Sequence, residues 1–378
     1  MRILVDCWKR SRANLARTML TLRFVAVAVP IAAWAQPPAS APSGATPYQI
    51  EAADVGTGLA VLVSGPGFTV LYDGGSNDDL STGAGNRLVA FLRASHPGLH
   101  RIDHVILSHP HQDHVQLLAD VIDQYEVGDV WDSGRLNPIC GYRAFLSAIA
   151  QHPAIIYHDA IGDGGIHTAK FAAQTCNGKS LPAQTITLRR GAKVGTAVVS
   201  LGANAAMTFL HEDPQPYTDV NRNSLVTRID LGSRRLLLMG DAGGGNRADP
   251  QSKPKTDSVE GQLLACCLAE IHADVMIVGH HGSETSSRLD FINAVGAHDF
   301  VVSVGPKAYS GTVLPDAVVI QELQNRGRLW RTDLHDAACG RAQKVGRDAD
   351  GQPGGCDNVR ITIDQNGVIS AGYEGLVD

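Results

Sequence analysis

The hydrophobic positions fall into two successive groups of short strands and helices. Alternating or continuously apolar runs predict strands at 48–54, 59–63, 68–72, 104–107 and 127–131 in the first group, and at 207–210, 224–231, 236–239, 273–278, 329–332 and 359–364 in the second. Helical spacing predicts helices at 86–94, 114–125, 258–270, 287–295 and 314–326. Each group is typical of a mixed sheet with helices on its outside. We therefore predict an α/β fold of four layers, αββα, rather than a doubly wound sheet.

The composition excludes several classes of protein. The 378 residues are 44% hydrophobic and 19% charged, so the chain is too apolar to be disordered and too weakly charged to be a coiled coil. No internal repeat has the period of a solenoid. A chain of this length holds two or three domains, or one large α/β unit.

The first 35 residues are typical of a signal peptide. Six basic side chains and one acidic side chain in residues 1–23 precede an apolar run at 24–32 that is too short to span a bilayer. Ala33-Trp34-Ala35 supplies the small residues of a cleavage site, so we predict cleavage after Ala35. An uncleaved membrane anchor is the alternative, and Met19 is an alternative start.

A Pro/Ser/Ala linker at 36–46 follows, and 47–378 is the predicted folded domain. We expect this mature protein in the periplasm or outside the cell, with no transmembrane domain.

Removal of residues 1–35 changes the charge and the cysteine count. The remainder has 26 basic and 37 acidic side chains, a formal charge of −11, and six cysteines. An even number of cysteines in an exported protein suggests disulfides. The intervening sequences favour Cys140–Cys176 and Cys339–Cys356, and the second pair would pin an insertion near 335–356. Cys266 and Cys267 lie in an apolar helical stretch, where we expect free thiols.

Three predicted strand ends carry side chains that bind metal ions. His109, His111, Asp113 and His114 directly follow a buried strand; Gly240-Asp241 ends a second, and His280-His281-Gly282-Ser283 follows a third. Imidazoles and carboxylates are the ligands that zinc takes at neutral pH. The first loop can direct His109 and His111 to one side and Asp113 and His114 to the other. The sequence therefore predicts two adjacent metals at an edge that both sheets share.

The order and content of these motifs closely resemble the metallo-β-lactamase superfamily, in the variant of the ComEC-like domain. Further matching segments are Asp54-Val-Gly56-Thr-Gly58, Leu71-Tyr-Asp73-Gly74-Gly75, Asn221-Arg-Asn223-Ser224 and Ser303-Val304-Gly305. The resemblance covers about 47–333. It implies the four-layer αββα sandwich of that family, with a dinuclear centre that usually holds Zn²⁺; Mn²⁺ is an alternative.

The resemblance also implies roles for individual residues. His109 and His111 would bind the first metal, Asp113 and His114 the second, and Asp241 would bridge them. His280 falls where the family's last ligand follows the strand, although His281 could take that place or face the substrate. Asp113 would orient a metal-bound hydroxide and carry its proton. Asp113 and His281 are therefore the predicted catalytic residues.

The sequence departs from the family before the Asp241 strand. Many members carry a histidine there, whereas this chain has Asn221 or Asn223, with His211 as the nearest substitute. A single metal is therefore an alternative to two. In addition, Tyr309-Ser310-Gly311 lacks a histidine that the ComEC-like branch carries at this point.

We predict an exported metal-dependent hydrolase that cleaves a phosphodiester or phosphoester, from a small molecule or a headgroup. Nucleic acid is disfavoured as a substrate because a mature charge of −11 repels a polyanion. The alternatives are hydrolysis of a β-lactam or lactone ring, and a non-catalytic metal-binding protein with the same fold.

Overall fold

The apolar strands of the sequence assemble into two large β-sheets. The structure is a computed structural model and describes residues 46–77, 80, 82–202, 204–305, 308–309, 311–334 and 357–374. The predicted signal peptide, linker residues 36–45 and the insertion near 335–356 with its cysteine pair lie outside the described residues.

The strands are β1 (Tyr48–Ala52), β2 (Val61–Gly65), β3 (Phe68–Tyr72), β4 (Arg101–Leu107), β5 (Glu126–Asp132), β6 (Ile156–Asp159), β7 (Ile166–Phe171), β8 (Gln174–Cys176), β9 (Lys179–Leu181), β10 (Gln184–Arg189), β11 (Val199–Gly202), β12 (Ala205–His211), β13 (Val226–Leu231), β14 (Arg234–Leu238), β15 (Val275–Ile277), β16 (Asp299–Val302), β17 (Arg328–Arg331), β18 (Asn358–Ile363) and β19 (Ile369–Glu374). The α-helices are α1 (Arg87–Ser95), α2 (Gln112–Val115), α3 (Leu118–Gln124), α4 (Cys140–Gln151), α5 (Val259–Cys266), α6 (Leu289–Val295) and α7 (Ala317–Gln324). Short 3-10 turns lie at Gly83–Gly85, Val220–Asn223 and Gly279–Gly282.

Both large sheets are mixed. The first has the order β19-β18-β1-β2-β3-β4-β5-β6, and the second has the order β11-β12-β13-β14-β15-β16-β17. Strands β3 to β6 run parallel, as do β14 to β17, and the remaining neighbours are antiparallel. The closing strand β18 returns to the first sheet, where it pairs with β1. Two small ribbons, β7 with β10 and β8 with β9, complete the strands.

Three hydrophobic clusters define the layers. The central cluster joins the inner faces of both sheets, with Tyr72 from one and Phe209 from the other. A second cluster packs α1, α3 and α4 on the outside of the first sheet, and a third packs α5, α6 and α7 on the outside of the second. Burying apolar side chains between layers is the main source of stability for such a fold. The αββα prediction is therefore confirmed.

The predicted helix at 114–125 is wrong in one respect, because it is divided into α2 and α3. The backbone amide of Leu117 donates to the carbonyl of Gly74, 2.8 Å away, instead of continuing the helical ladder. The division ties the loop that carries the histidines to the end of β3. Apolar periodicity does not report such a contact between distant segments.

The hydrophobic pattern assigned no helix or strand to residues 133–202. It contributes α4, β6 and the strands up to β11, and Cys140 at the start of α4 forms the predicted disulfide with Cys176 at the end of β8.

The expectation of free thiols at Cys266 and Cys267 is wrong, because the two residues form a disulfide with each other. Helix α5 ends at Cys266, and the backbone of Cys267 is no longer helical. Within the described part of the chain, no helix is both long and apolar enough to cross a membrane.

Candidate metal centre

The predicted metal-binding segments meet at one edge of the sandwich. Asp73 follows β3 and His109 follows β4 in the first sheet, while Asp241 and His281 follow β14 and β15 in the second. Backbone hydrogen bonds join the loops: the amide of His280 donates to Gly240, and that of Leu225 donates to Ser108, each across 2.9 Å. The parallel strands of both sheets thus bring their carboxyl ends together, as the positions of the motifs suggested.

The side chains form two groups that share one carboxylate. In each group, one ligand atom per residue lies within 4.8 Å of the others: Asp113, His114, Asp241 and His281 form the first group, and His109, His111 and Asp241 form the second. Asp241 Oδ1 lies 3.1 Å from His114 Nε2, and Asp241 Oδ2 lies 3.5 Å from His109 Nε2. Asp241 is therefore placed between two sets of donors.

Several of these donor atoms are buried without hydrogen-bond partners. Among the described residues this holds for His114 Nε2, His281 Nε2 and Asp241 Oδ1. A buried polar atom without a partner costs about 1–3 kcal/mol, so such atoms need a reason to persist. A divalent cation would satisfy all three, and imidazole nitrogen with carboxylate oxygen is a donor set that zinc and manganese accept. The residues present fit a metal.

A second set of hydrogen bonds fixes the ligands from behind. The carboxylate of Asp73 is fully buried, and His114 Nδ1 lies 2.8 Å from its Oδ2. The amide and the hydroxyl of Ser108 both donate to Asp73, each across 2.7 Å. On the other side of the site, the Nδ1 atom of His281 is 2.7 Å from the carbonyl of Ser303. With Nδ1 engaged, each ring directs Nε2 at the shared space, which is how proteins orient metal-binding histidines.

Ser108 is a residue that the sequence analysis did not single out. Its hydroxyl lies between Asp73 and the ring of His109, 3.0 Å from Nδ1. Its position directly before His109 is the feature of the sequence that could have indicated its role. Tyr309, which the sequence analysis named only for the histidine that its segment lacks, stacks its ring on that of His281 with the centroids 5.7 Å apart.

Neighbouring charges and burial shift the pKa values of the clustered side chains in different directions. Burial opposes a charge on His114, but Asp241, Asp73 and Asp113 surround it and raise its pKa well above the ordinary value. Burial and the neighbouring His114 instead lower the pKa of His109 well below its ordinary value. Burial would raise the pKa of Asp241, yet the surrounding imidazoles hold it well below the usual range. A carboxylate that stays ionised among imidazoles is suited to bind a cation.

The adjacent histidines His280 and His281 point to different places. Both have left-handed backbone conformations, with φ of 49° and 53°, and Gly282 continues the turn at 75°. Such angles cost about 1–2 kcal/mol for a residue with a side chain and tend to occur at functional sites. The His281 side chain is 1% exposed and joins the buried group, whereas that of His280 is 23% exposed. His280 Nδ1 contacts the hydroxyl of Thr285 at 2.5 Å, and its Nε2 lies 3.7 Å from Asp241 Oδ2.

The candidates for the missing histidine lie outside both groups. Nδ1 of His211 is 2.8 Å from the carbonyl of Ser224, and the amide of Asn223 donates to the carbonyls of Asp213 and Gln215. These contacts hold the loop before the Asp241 strand. Asn221 instead lines a cleft.

This cleft has a volume of about 350 Å³ and opens beside Asp241 and His280. Arg222, Lys255 and Ser258 also line it. Its size is that of a small-molecule site.

The chain is similar to a known protein family and to two longer bacterial proteins. The family described as "Metallo-beta-lactamase superfamily" matches residues 53–305, about two thirds of the chain. The chain is 27% identical over 286 residues to "Competence protein ComA" of Neisseria gonorrhoeae, which covers 75% of this chain and 31% of that protein. It is 24% identical over 258 residues to "Recombination protein 2" of Haemophilus influenzae, which covers 68% of this chain and 24% of that protein. The chain thus spans less than a third of the length of either relative.

Among solved structures, the chain matches the metallo-beta-lactamase fold protein YhfI from Bacillus subtilis. It shares 12% identity and has a TM-score of 0.40, over 75% of this chain and 96% of that one.

Proposed function

Because the chain belongs to the metallo-beta-lactamase superfamily, we propose that it is a metal-dependent hydrolase that cleaves a phosphodiester or phosphoester. The observation that carries the proposal is the position of Asp241, a buried carboxylate shared by two groups of imidazole and carboxylate donors. A structural carboxylate would be expected to accept hydrogen bonds at both oxygens, whereas Asp241 Oδ1 lies 3.1 Å from His114 Nε2 without hydrogen-bond geometry.

The two groups would supply ligands for two metals. His109, His111 and Asp241 would hold one, and Asp113, His114, Asp241 and His281 the other. We choose His281 over His280 as the last ligand because its Nε2 atom is buried without a partner. Zn²⁺ is the expected ion, and Mn²⁺ would suit the same donors. A divalent ion in this site lowers the pKa of a bound water towards neutrality and polarises the phosphoryl oxygen.

The protein's own residues would then orient the reaction. Burial would raise the pKa of Asp113, but His114 and His281 lower it, so the carboxylate is ionised and could orient a bound water. Asp113 Oδ2 lies 3.4 Å from His281 Nε2, on the buried side of the site. His280 lines the cleft, where it would contact the substrate.

Two features favour a phosphoester over a cyclic amide or ester. The cleft beside Asp241 holds two cationic side chains, Arg222 and Lys255, which suit an anionic substrate. Many family members carry a histidine before the Asp241 strand, and this chain has Asn221 and Asn223 in that region instead. The formal charge of −11 without residues 1–35 favours a small substrate over a polynucleotide.

We also propose that the protein works in the periplasm or outside the cell. The basic and apolar pattern of residues 1–35 supports export, and the disulfide between Cys140 and Cys176 suits an oxidising compartment.

A substrate panel tests the proposal. The mature protein, loaded with Zn²⁺ or Mn²⁺, is assayed on bis-p-nitrophenyl phosphate, a chromogenic β-lactam and a lactone. We expect hydrolysis of the phosphodiester, with loss of activity in Asp241→Ala and retention in His100→Ala. His100 is an exposed histidine that precedes β4, at the opposite end of the strand from His109. Turnover of the β-lactam or lactone alone would contradict the substrate class.

A further inference from the structure

We infer that the cleft beside Asp241 binds a second anionic group of the substrate, so that the preferred substrate is a small phosphodiester carrying a further phosphate. This inference rests on the proposed function and names the substrate class more closely. The cleft of about 350 Å³ reaches from Asp241 and His280, at the edge of the metal centre, to Arg222 and Lys255. One phosphate can thus lie at the metal centre while another meets the cations.

Arg222 is held in place by its neighbours. Its guanidinium carbon lies 4.0 Å from the centre of the Tyr217 ring, and one of its terminal nitrogens donates to the carbonyl of Asp257 at 2.9 Å. Stacking on an aromatic ring fixes the plane of the guanidinium and reduces the entropy that binding costs. Its other N–H groups make no hydrogen bond within the described part of the chain, so a planar donor set remains for an anion.

Lys255 is positioned by a glycine. Its amide donates to the carbonyl of Gly244 at 2.9 Å, and its stem crosses Gly245, where a Cβ atom would lie only 3.0 Å from Lys255 Cγ and Cδ. Gly245 also has φ of +128°, a conformation that side-chain-bearing residues rarely adopt. The ammonium group forms no ion pair with any residue that the structure describes. A cation with no internal partner lies along the cleft wall.

A neutral donor adds to this surface. Asn221 Oδ1 is buried and has no hydrogen-bond partner among the described residues, and the two ends of an amide side chain can exchange places to present N–H₂. After this exchange, the unpartnered end of the Asn221 side chain would present a donor to an anion.

Besides Asp241, two carboxylates that line the cleft compete with this assignment. Asp219 accepts a hydrogen bond from the amide of Asn221 at 3.1 Å, which occupies one of its oxygens in the turn. The Asp257 side chain is 71% exposed and lies 3.6 Å from Arg222. Asp219 is exposed as well, so hydration screens both charges more than that of the stacked Arg222, whose side chain is 36% exposed. We therefore assign the cleft to an anion rather than to a quaternary ammonium headgroup.

A pair of matched esters tests the assignment. The p-nitrophenyl ester of thymidine 5′-phosphate is compared with the same ester carrying a 3′-phosphate, and kcat/KM is measured for release of p-nitrophenol. We expect the additional phosphate to raise kcat/KM about tenfold in the wild-type protein. Arg222→Gln and Lys255→Gln should each reduce this ratio towards one. Lys253→Gln, which removes the same charge from an exposed residue outside the cleft, should leave the ratio unchanged.

The outcomes separate this inference from the proposed function. Hydrolysis of both esters without a gain from the 3′-phosphate, or an undiminished gain in Arg222→Gln, would overturn it. Preference for p-nitrophenyl phosphorylcholine over the 3′-phosphorylated ester would also overturn it. The cleft would then bind a quaternary ammonium group through Asp219 and Asp257.

If neither ester is hydrolysed, the proposed function fails, and calorimetry then tests the cleft on its own. Thymidine 3′,5′-bisphosphate should bind the metal-loaded protein about tenfold more tightly than thymidine 5′-monophosphate, and Arg222→Gln should abolish the difference. Equal binding of the two nucleotides by the wild-type protein would overturn the inference.

Discussion

Asp132 and Asp241 are both buried aspartates at the ends of strands, yet their oxygens are satisfied in different ways. Asp132, the last residue of β5, accepts hydrogen bonds from the hydroxyls of Tyr142 and Tyr157 at 2.6 and 2.7 Å. Its other oxygen lies 3.3 Å from the hydroxyl of Ser133. Asp241 faces imidazoles on several sides, and its Oδ1 has no hydrogen-bond partner among the described residues. Burial alone therefore does not identify a functional carboxylate.

The pKa values of the two groups move in opposite directions. Burial raises the pKa of Asp132, and the hydrogen bonds of the tyrosines only partly offset this. Burial acts in the same sense on Asp241, but His114, His280 and His281 lower its pKa well below the usual range. Asp132 therefore holds the first sheet to α4, whereas Asp241 is kept charged within a cluster whose donors fit a cation.

The largest effect is expected from the removal of the shared carboxylate. Asp241→Ala should lower kcat on bis-p-nitrophenyl phosphate by about 10³-fold or more, because both proposed metals lose a ligand. Asp132→Asn, measured in the same assay, should retain kcat. Equal losses in the two variants would remove the distinction between the two aspartates.

Replacing either of the adjacent histidines should lower activity by less than the loss of Asp241 does. His281→Ala should lower kcat/KM about 10²-fold, since the buried ring belongs to the donor group, and His280→Ala about tenfold, since that ring lines the cleft. Zinc affinity, measured by competition with a chromogenic chelator, should fall in His281→Ala only. The reverse order would identify His280 as the ligand.

Asp132 should matter for stability instead. Asp132→Asn leaves the tyrosine hydroxyls with one acceptor oxygen in place of a carboxylate, and we expect the free energy of unfolding to fall by about 2 kcal/mol. Urea unfolding of the metal-free protein measures this change, with Asp241→Asn as the matched variant. Loss of bound zinc without loss of stability in Asp132→Asn would show that Asp132 serves the metal centre.

A pH-dependent effect on stability concerns a third buried carboxylate, Glu260, which accepts hydrogen bonds from the amides of Ser287 and Arg288. Burial raises its pKa to about 8. The folded state therefore keeps a proton that the unfolded state loses above the ordinary value of 4.5, and stability is lost as the pH rises through about 8.

Glu260→Gln should remove this loss. Between pH 5 and 8 its free energy of unfolding should gain up to about 1.4 kcal/mol per pH unit relative to the wild type. Urea unfolding at several pH values measures the slope. Parallel curves for the two proteins would show that Glu260 is ionised in the folded state.

The sequence predicted the layers and the set of ligand-bearing loops, because apolar runs and the spacing of His109, His111, Asp113 and His114 are local features. It did not decide between His280 and His281, since the choice depends on two consecutive left-handed residues that turn one ring inward. The division between α2 and α3 and the bond between Cys266 and Cys267 also depend on backbone geometry that hydrophobic periodicity does not report. The pairing of β18 with β1 joins residues about 310 positions apart, which no local pattern specifies.

The metal content of the purified chain tests the role of Asp241 most directly. After saturation with Zn²⁺ and removal of unbound ions, elemental mass spectrometry should find two zinc ions per wild-type chain and at most one in Asp241→Ala. His100→Ala should retain both. A wild-type chain that holds no zinc, or an Asp241→Ala chain that retains two ions, would contradict the assignment of Asp241 as the shared ligand.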